Sequence, residues 1–355
     1  MKKWMVLALA VGFVLTASFS AQADSVLMPW VIKDKAISTI ISVVNTFDPT
    51  PKKVRFHFMY WYKKTIANGQ TEKCEEVDFC VPTSYNDILV FDAAGNFNGG
   101  SPLFGDTAVQ GTKYTTVQGT SLALPVDGPR RAYLVITNEQ YTNEVCGAAE
   151  IVGEEDSIYA EAMVVDIANG AAWGYDGYNP RNIDNTTIPA WWTNFSDNAT
   201  VVTDALGQIV ASDKGEFAFL TIMPPKSGIT TKLFVTPIGT DMVHNGNNLV
   251  ATKLYCSIPS LGGMFDSDER CISFDTIKEV VCTDASTIDH YVSNAAWTIF
   301  VNTGAEGWAY LYLPTYTGST RQAAIGKLEY SIGAASFDGN RIASAINNFV
   351  WVRGR

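Results

Sequence analysis

Residues 52–64 read KKVRFHFMYWYKK. Under a two-residue alternation, Val54, Phe56, Phe58, Tyr60 and Tyr62 fall on one side, and Arg55, His57, Met59, Trp61 and Lys63 on the other. Successive side chains of a strand point to opposite faces, so this pattern predicts a strand with one apolar face turned to a core. The other face mixes a cation, an imidazole, a thioether and an indole, as on a sheet partly covered by a loop.

Working outward, runs of the same kind recur. They are ISTIISVVNT (37–46), NDILVF (86–91), RAYLVITN (131–138), IYAEAMVVDI (158–167), EFAFLTIM (216–223), TKLFVTPI (231–238), LVATKLYC (249–256), AAWTIFVNT (295–303), GWAYLYLP (307–314) and FVWV (349–352). Between them stand turn-forming clusters such as FDPTPKK, AAGNFNGGSP, PVDGPRR, MPPKSG and IGTDMVHNGNN. Long helices do not alternate with these runs, which disfavours a parallel α/β fold. The expected architecture is all-β, an antiparallel β-sandwich built as one large or two smaller sandwiches, with long loops and few short helices. Helical candidates are NRIASAINNF (340–349) and, more weakly, Phe274–Val281.

TIISVVNT (39–46), AYLVITN (132–138) and TIFVNT (298–303) echo one another, each carrying an apolar run into Asn or Asn-Thr. We read them as strands that end in polar turns rather than as a true repeat. The stretch 174–200 is the least strand-like, so a boundary is placed near residue 200, between an N-terminal β-sandwich region (24–200) and a C-terminal β-rich region (201–355).

The first 23 residues, MKKWMVLALAVGFVLTASFSAQA, have the order of a secretory signal peptide: Lys2 and Lys3, then a short apolar run, then Ala21-Gln22-Ala23 before Asp24. The chain is therefore expected to be exported, whether to the periplasm, the cell surface or the medium. No later segment is apolar enough for a transmembrane helix. Removal of the leader takes the formal charge from −11 to −13, which argues against nucleic acid and anionic membranes as partners. Six cysteines, Cys74, Cys80, Cys146, Cys256, Cys271 and Cys282, suit disulfides in such a compartment. Cys74 and Cys80 are the expected pair, closing a small loop in KCEEVDFC, and one of the last three is expected to reach Cys146.

The leader, Met28-Pro29-Trp30, STIISVVNT, the aromatic strand, FDAAGNFNGG with SPLFGD, and VVDIANGAAWGYDGY together resemble a loosely defined group of uncharacterised secreted bacterial β-rich proteins. The resemblance covers the first half of the chain. It implies a secreted β architecture and assigns no activity and no site.

Patterns that would carry chemistry are sparse. The string nearest to a nucleophile elbow, Gly119-Thr120-Ser121-Leu122-Ala123, lacks the second glycine. The three histidines, His57, His244 and His290, read as structural. Asp266, Asp268 and Glu269 form an acidic loop that could hold calcium, the one cofactor with candidate ligands; it lacks the EF-hand spacing, and zinc-type spacings are absent. Glu161, Asp166, Glu216 and Glu329 could pair as glycosidase carboxylates only if the fold brought two together. The stretch AAWGYDGYNPRNIDNTTIPAWWTNF (171–195) places Trp173, Tyr175, Tyr178, Trp191 and Trp192 on a predicted loop. Such rings stack on sugars, but packing against the sheet is the favoured reading.

The sequence thus points away from an enzyme. It favours a structural or interaction role at the cell surface or in the matrix, with self-assembly or other surface proteins as partners. Glycan binding through the loop aromatics is the alternative, and a glycoside hydrolase is a more distant one.

Overall fold

The alternating segment Lys53–Lys64 is a 12-residue strand at the centre of the largest sheet. In this computed structural model the described residues are 25–47, 53–64, 73–103, 115–116, 122–125, 128, 130–141, 150–151, 157–168, 171–177, 201–203, 209–212, 217–222, 229–238, 249–254, 263–266, 268, 271–272, 274–279, 282–287, 307–312, 322–331 and 347–352. Before residue 200 the strands are β1 (Ser25–Lys33), β2 (Ile37–Asn45), β3 (Lys53–Lys64), β4 (Lys73–Thr83), β5 (Ile88–Asp92), β6 (Thr115–Thr116), β7 (Arg130–Tyr141), β8 (Glu150–Ile151), β9 (Ile158–Asp166) and β10 (Ala171–Asp176). After it come β11 (Val201–Thr203), β12 (Ile209–Ser212), β13 (Phe217–Ile222), β14 (Ile229–Ile238), β15 (Leu249–Leu254), β16 (Gly263–Asp266), β17 (Cys271–Ile272), β18 (Phe274–Glu279), β19 (Asp284–Thr287), β20 (Gly307–Tyr312), β21 (Gln322–Ser331) and β22 (Asn347–Val352).

The fold is all-β and sandwich-like. Its four larger sheets run β1-β7-β3-β4-β6 (with β8 on β7), β10-β9-β2-β5, β13-β20-β16-β17 and β19-β14-β21-β22, all antiparallel and none closed into a barrel. Two-stranded ribbons β11–β12 and β15–β18 complete the described set. Each sheet draws its strands from one side of residue 200.

The first two sheets face each other through apolar residues. Phe56, Phe58, Tyr60 and Tyr62 of β3 share a buried cluster with Ile41 and Val43 of β2, Phe91 of β5, and Ala160, Ala162 and Val164 of β9. Phe58 stacks on Phe79 of its own sheet at 5.0 Å and meets Phe91 of the facing sheet edge-on at 5.3 Å. Both geometries suit the charge distribution of aromatic rings. β9 alternates buried and half-buried positions, so only one of its faces is in the core.

Polar clamps close the two ends of this sandwich. At one end, Asn138 of β7 donates from Nδ2 to Oδ1 of Asn45 on β2, at 2.8 Å and fully buried. These are the terminal asparagines of two echoing runs, and they join the two sheets. At the other end the buried Asp92 carboxylate accepts from Ser38 Oγ and from the backbone N–H groups of Ala94 and Phe97, which fixes the turn after β5. Gly95, Asn98, Gly99 and Gly100 take positive φ in that turn, the reason AAGNFNGG is so rich in Gly and Asn.

A bulge in β1 ties the N-terminal sheets to the C-terminal ones. The register of β1 on β7 shifts between Met28 and Val31, at Pro29-Trp30. The shift takes two carbonyls out of the ladder, and side-chain hydroxyls satisfy them. Thr236 and Thr283 donate to the Pro29 carbonyl at 3.0 and 3.1 Å, and the Tyr175 hydroxyl donates to that of Trp30. The Trp30 ring meets Phe234 of β14 edge-on at 4.7 Å, so the core is continuous across residue 200.

Several expectations are corrected. KCEEVDFC is not a disulfide-closed loop: Cys74 and Cys80 both lie on β4. Six residues of strand separate their Cα atoms by about 20 Å, far beyond disulfide reach. The helix expected at Phe274–Val281 is replaced over Phe274–Glu279 by strand β18, and 280–281 lie outside the described residues. The β18 backbone pairs along its whole length with β15, Leu249 opposite Glu279 through Leu254 opposite Phe274, and that ladder holds it extended. Of NRIASAINNF, Asn347-Asn348-Phe349 open strand β22, and 340–346 lie outside the described residues, as does AAWTIFVNT. The segment after IYAEAMVVDI begins as strand β10, hairpinned onto β9, rather than as a loop.

Candidate functional site

The outward face of β3 carries the densest set of chemistry-bearing side chains among the described residues. Antiparallel register puts Arg55 opposite Glu139 of β7, and His57 opposite Thr137 of β7 and Cys80 of β4. Asp78 lies one alternation along β4 from Cys80, so it is diagonal to His57, as is Glu139 on β7. Diagonal neighbours on one face are within reach of long side chains. His57 Nδ1 lies 2.6 Å from Glu139 Oε1 and its Nε2 lies 3.1 Å from Asp78 Oδ2. Arg55 Nε donates to the other Glu139 oxygen at 3.2 Å.

Arg55, His57 and Glu139 are buried, whereas the Asp78 side chain is 40% exposed, so the chain of contacts runs from solvent into the sheet. Burial alone would lower the His57 pKa. The hydrogen bonds to Asp78 and Glu139, with their charges, outweigh it and raise the pKa to about 9. At neutral pH His57 is therefore an imidazolium that donates from both nitrogens. The same contact holds Asp78 below the usual carboxylate range, against its partial burial. Glu76 is the next residue on this face of β4. Burial first, then the Asp78 charge, raise its pKa to about 7, against the pull of His57. Beyond it Trp61 stacks on Tyr133 at 6.2 Å, so an aromatic pair continues the row of charges.

This cluster also contains a metal-like group: ligand atoms of His57, Cys80 and Glu139 lie within 4.8 Å of one another. Its chemistry does not suit a cation. Cys80 is disulfide-bonded and offers no thiolate. Both ring nitrogens of His57 face carboxylates, and Glu139 is held by Arg55 and His57 together. Two cations matched to two carboxylates make a locally neutral brace across β7, β3 and β4. The sequence offered one signal for it: a His and an Arg on the polar face of an alternating strand, with Glu and Asp at matching parity in KCEEVDFC and ITNEQY.

The other candidate residues fall elsewhere. Tyr175 is in the core at 5% exposure. Trp173 packs against that core, 5.6 Å from Tyr175 and 5.2 Å from Phe234. Tyr178, Trp191 and Trp192 lie outside the described residues. Asp266 is buried at the end of β16, where its Oδ1 accepts from the Asp268 N–H at 3.0 Å; Asp268 is exposed, and Glu269 lies outside the described residues. Cys282 is buried and disulfide-bonded, the backbones of Cys74 and Cys271 lie on β4 and β17, and Cys146 and Cys256 lie outside the described residues. Glu161 and Asp166 sit at opposite parity on β9, so they face opposite ways. Glu329 pairs with Lys327 at 2.7 Å in a different sheet, and Glu216 is outside the described residues, as are His244 and His290.

No local pattern in the sequence marks the pair Phe265–Trp308, which stacks at 4.6 Å with an interplanar angle of 15°. Trp308 is 39% exposed. Comparison of the chain with protein-family models, with curated proteins and with solved structures found no match.

Proposed function

We propose that the chain is an exported, disulfide-containing β-sandwich protein with a structural or interaction role at the cell surface or in the extracellular matrix. One observation carries this reading: Arg55, His57, Asp78 and Glu139 of the largest sheet are engaged with one another. His57 is held by two carboxylates and charged at neutral pH, so it has no lone pair with which to act as a general base. Arg55, Asp78 and Glu139 complete a brace that stiffens three neighbouring strands. Export is supported by the order of Lys2-Lys3, apolar run and Ala21-Gln22-Ala23, and by the disulfide state of Cys80 and Cys282, which suits an oxidising compartment. Among the described residues, no helix is long and apolar enough to cross a membrane.

The test has two arms. Fractionation of cells expressing the full chain should find it outside the cytoplasm, in a form shortened by the leader, and deletion of residues 2–16 should retain it inside. Light scattering on the exported form should show assemblies larger than a monomer, or a stable complex with an envelope fraction. A cytoplasmic, strictly monomeric chain that binds no envelope component would overturn the proposal.

A further inference from the structure

The contact that joins β1 and β7 to β14 carries two unmatched cations. Arg131 of β7 is exposed, and its guanidinium carbon lies 5.5 Å from the centre of the Trp30 ring. Lys232 of β14 is half-buried, and its Nζ lies 6.0 Å from the centre of the Phe234 ring. Those two rings meet edge-on at 4.7 Å, so both cations flank one aromatic pair. Among the described residues, neither cation has a hydrogen-bond or ion-pair partner. Burial first, then the Arg131 charge, lower the Lys232 pKa, and the Asp284 charge on β19 opposes both. The Asp284 carboxylate itself accepts from Ser286 Oγ at 3.0 Å. A third donor goes unused in the same contact. Trp30 Nε1 is buried and has no hydrogen-bond partner among the described residues.

We infer that Arg131, Lys232 and the Trp30 indole N–H form a binding site for the carboxylate of a small organic acid. Each of the three is costly when the site is empty. Two like charges repel, an ammonium drawn partly out of water loses solvation, and a buried N–H forgoes a hydrogen bond. One bound anion answers all three. Charge selects its class. Two cations against Asp284 leave one net positive charge, which a carboxylate neutralises and a dianion exceeds. The planar guanidinium presents paired N–H donors that match the two oxygens of a carboxylate. The net charge of −11 repels polyanions at long range, which favours a small acid over an acidic polymer. The Trp30 and Phe234 rings keep water from one side of the bound group and so strengthen its contacts with the two cations. The site stands independently of the interaction role proposed above.

The experiment is titration calorimetry of the full-length exported protein with acetate and with benzoate, at an ionic strength held constant with chloride. At least one should bind saturably at a single site and raise the urea midpoint of unfolding. Arg131→Leu and Lys232→Met should each weaken binding about tenfold or more, as expected for loss of a charge-assisted contact. Arg131→Lys, which keeps the charge and loses the fork, should cost several-fold. Without ligand, Lys232→Met should unfold at a urea concentration no lower than the wild type, because it removes a desolvated and unpaired charge. That result separates loss of binding from loss of fold. Should Arg131→Leu or Lys232→Met misfold, Arg131→Lys still decides the matter. Neither heat nor midpoint shift with either acid, beyond the chloride control, overturns the site. Binding indifferent to all three substitutions overturns it as well. Phosphate or sulfate binding more tightly than both acids overturns the assignment to a carboxylate.

Discussion

The two faces of β3 belong to one strand yet are held by different physics. Towards β2, β5 and β9, Phe56, Phe58 and Tyr60 are buried among rings and aliphatic groups. That attachment is non-directional, and neutral across ordinary pH. On the reverse, Arg55 and His57 are equally buried but matched to Glu139 and Asp78. That attachment is directional and depends on every member keeping its charge. The difference teaches that burial on both faces of a strand does not mean the same sensitivity on both. The apolar face tolerates a change of medium and punishes a change of volume, whereas the polar face does the reverse.

The largest expected effects test each face separately. Phe58→Ala should cost about 3–5 kcal/mol, with a similar loss at pH 6 and pH 9, measured by urea unfolding. Glu139→Ala leaves Arg55 and His57 buried without their shared partner and should cost about 3–5 kcal/mol near neutrality. The combined change Arg55→Met, His57→Leu and Glu139→Leu replaces the brace with apolar volume, and should lie within about 2 kcal/mol of wild type. A triple variant as damaged as Glu139→Ala would show that the brace contributes more than charge matching.

The pH dependence comes next in size. The folded pKa of His57, about 9, stands above its unfolded value of 6.5. Its contribution is therefore fully present below pH 6.5 and is lost as pH rises through 9. The linkage amounts to about 3 kcal/mol at most. Glu76 acts in the same direction at lower pH. Its folded value of about 7 exceeds its ordinary value of 4.5, so the native state loses ground as pH climbs from 4.5 through 7. Asp78 is depressed, so its contribution is present above its ordinary pKa and fades as pH falls through the folded one. Stability measured from pH 5 to pH 9.5 should decline, and His57→Leu should remove the upper limb of that decline. A flat wild-type profile between pH 6.5 and 9.5 would mean that His57 is not charged in the fold.

Much of the architecture was legible in KKVRFHFMYWYKK and the runs around it, because alternation is a local property. β2, β3, β5, β7, β9, β13, β14, β15, β20 and β22 all overlap runs visible by period. β4 was hidden because KCEEVDFC is rich in charge, and its acids make sense only beside β3, with Asp78 diagonal to His57 and Glu76 opposite Trp61. β18 looked helical because FDTIKE has no clear alternation of polarity, and its pairing with β15 is a partner's contribution that no local window contains. The brace was half legible: parity put Arg55 and His57 on one face, but Glu139 is 82 residues from His57 in sequence and only the register brings them together. The Phe265–Trp308 stack was opaque for the same reason, its two rings coming from strands far apart in the chain.

The smallest effect concerns the point where the apolar face meets the rest of the molecule. The bulge at Pro29-Trp30 takes the Trp30 carbonyl out of the β1 ladder, and the Tyr175 hydroxyl, brought by edge strand β10, satisfies it. Tyr175→Phe keeps the ring and its packing beside Trp173 and removes only that donor. A buried carbonyl left without a partner costs about 1–3 kcal/mol, and water reaching it would soften the loss towards about 1 kcal/mol. Because the Tyr175 pKa is pushed up by burial, the hydroxyl stays protonated throughout the range in which His57 titrates. The loss should therefore be the same at pH 6 and pH 9, as for Phe58→Ala and unlike any change to the brace. A Tyr175→Phe penalty that grew with pH would show that the apolar and charged faces of the sheet are coupled through β1, and the division drawn between them would fail.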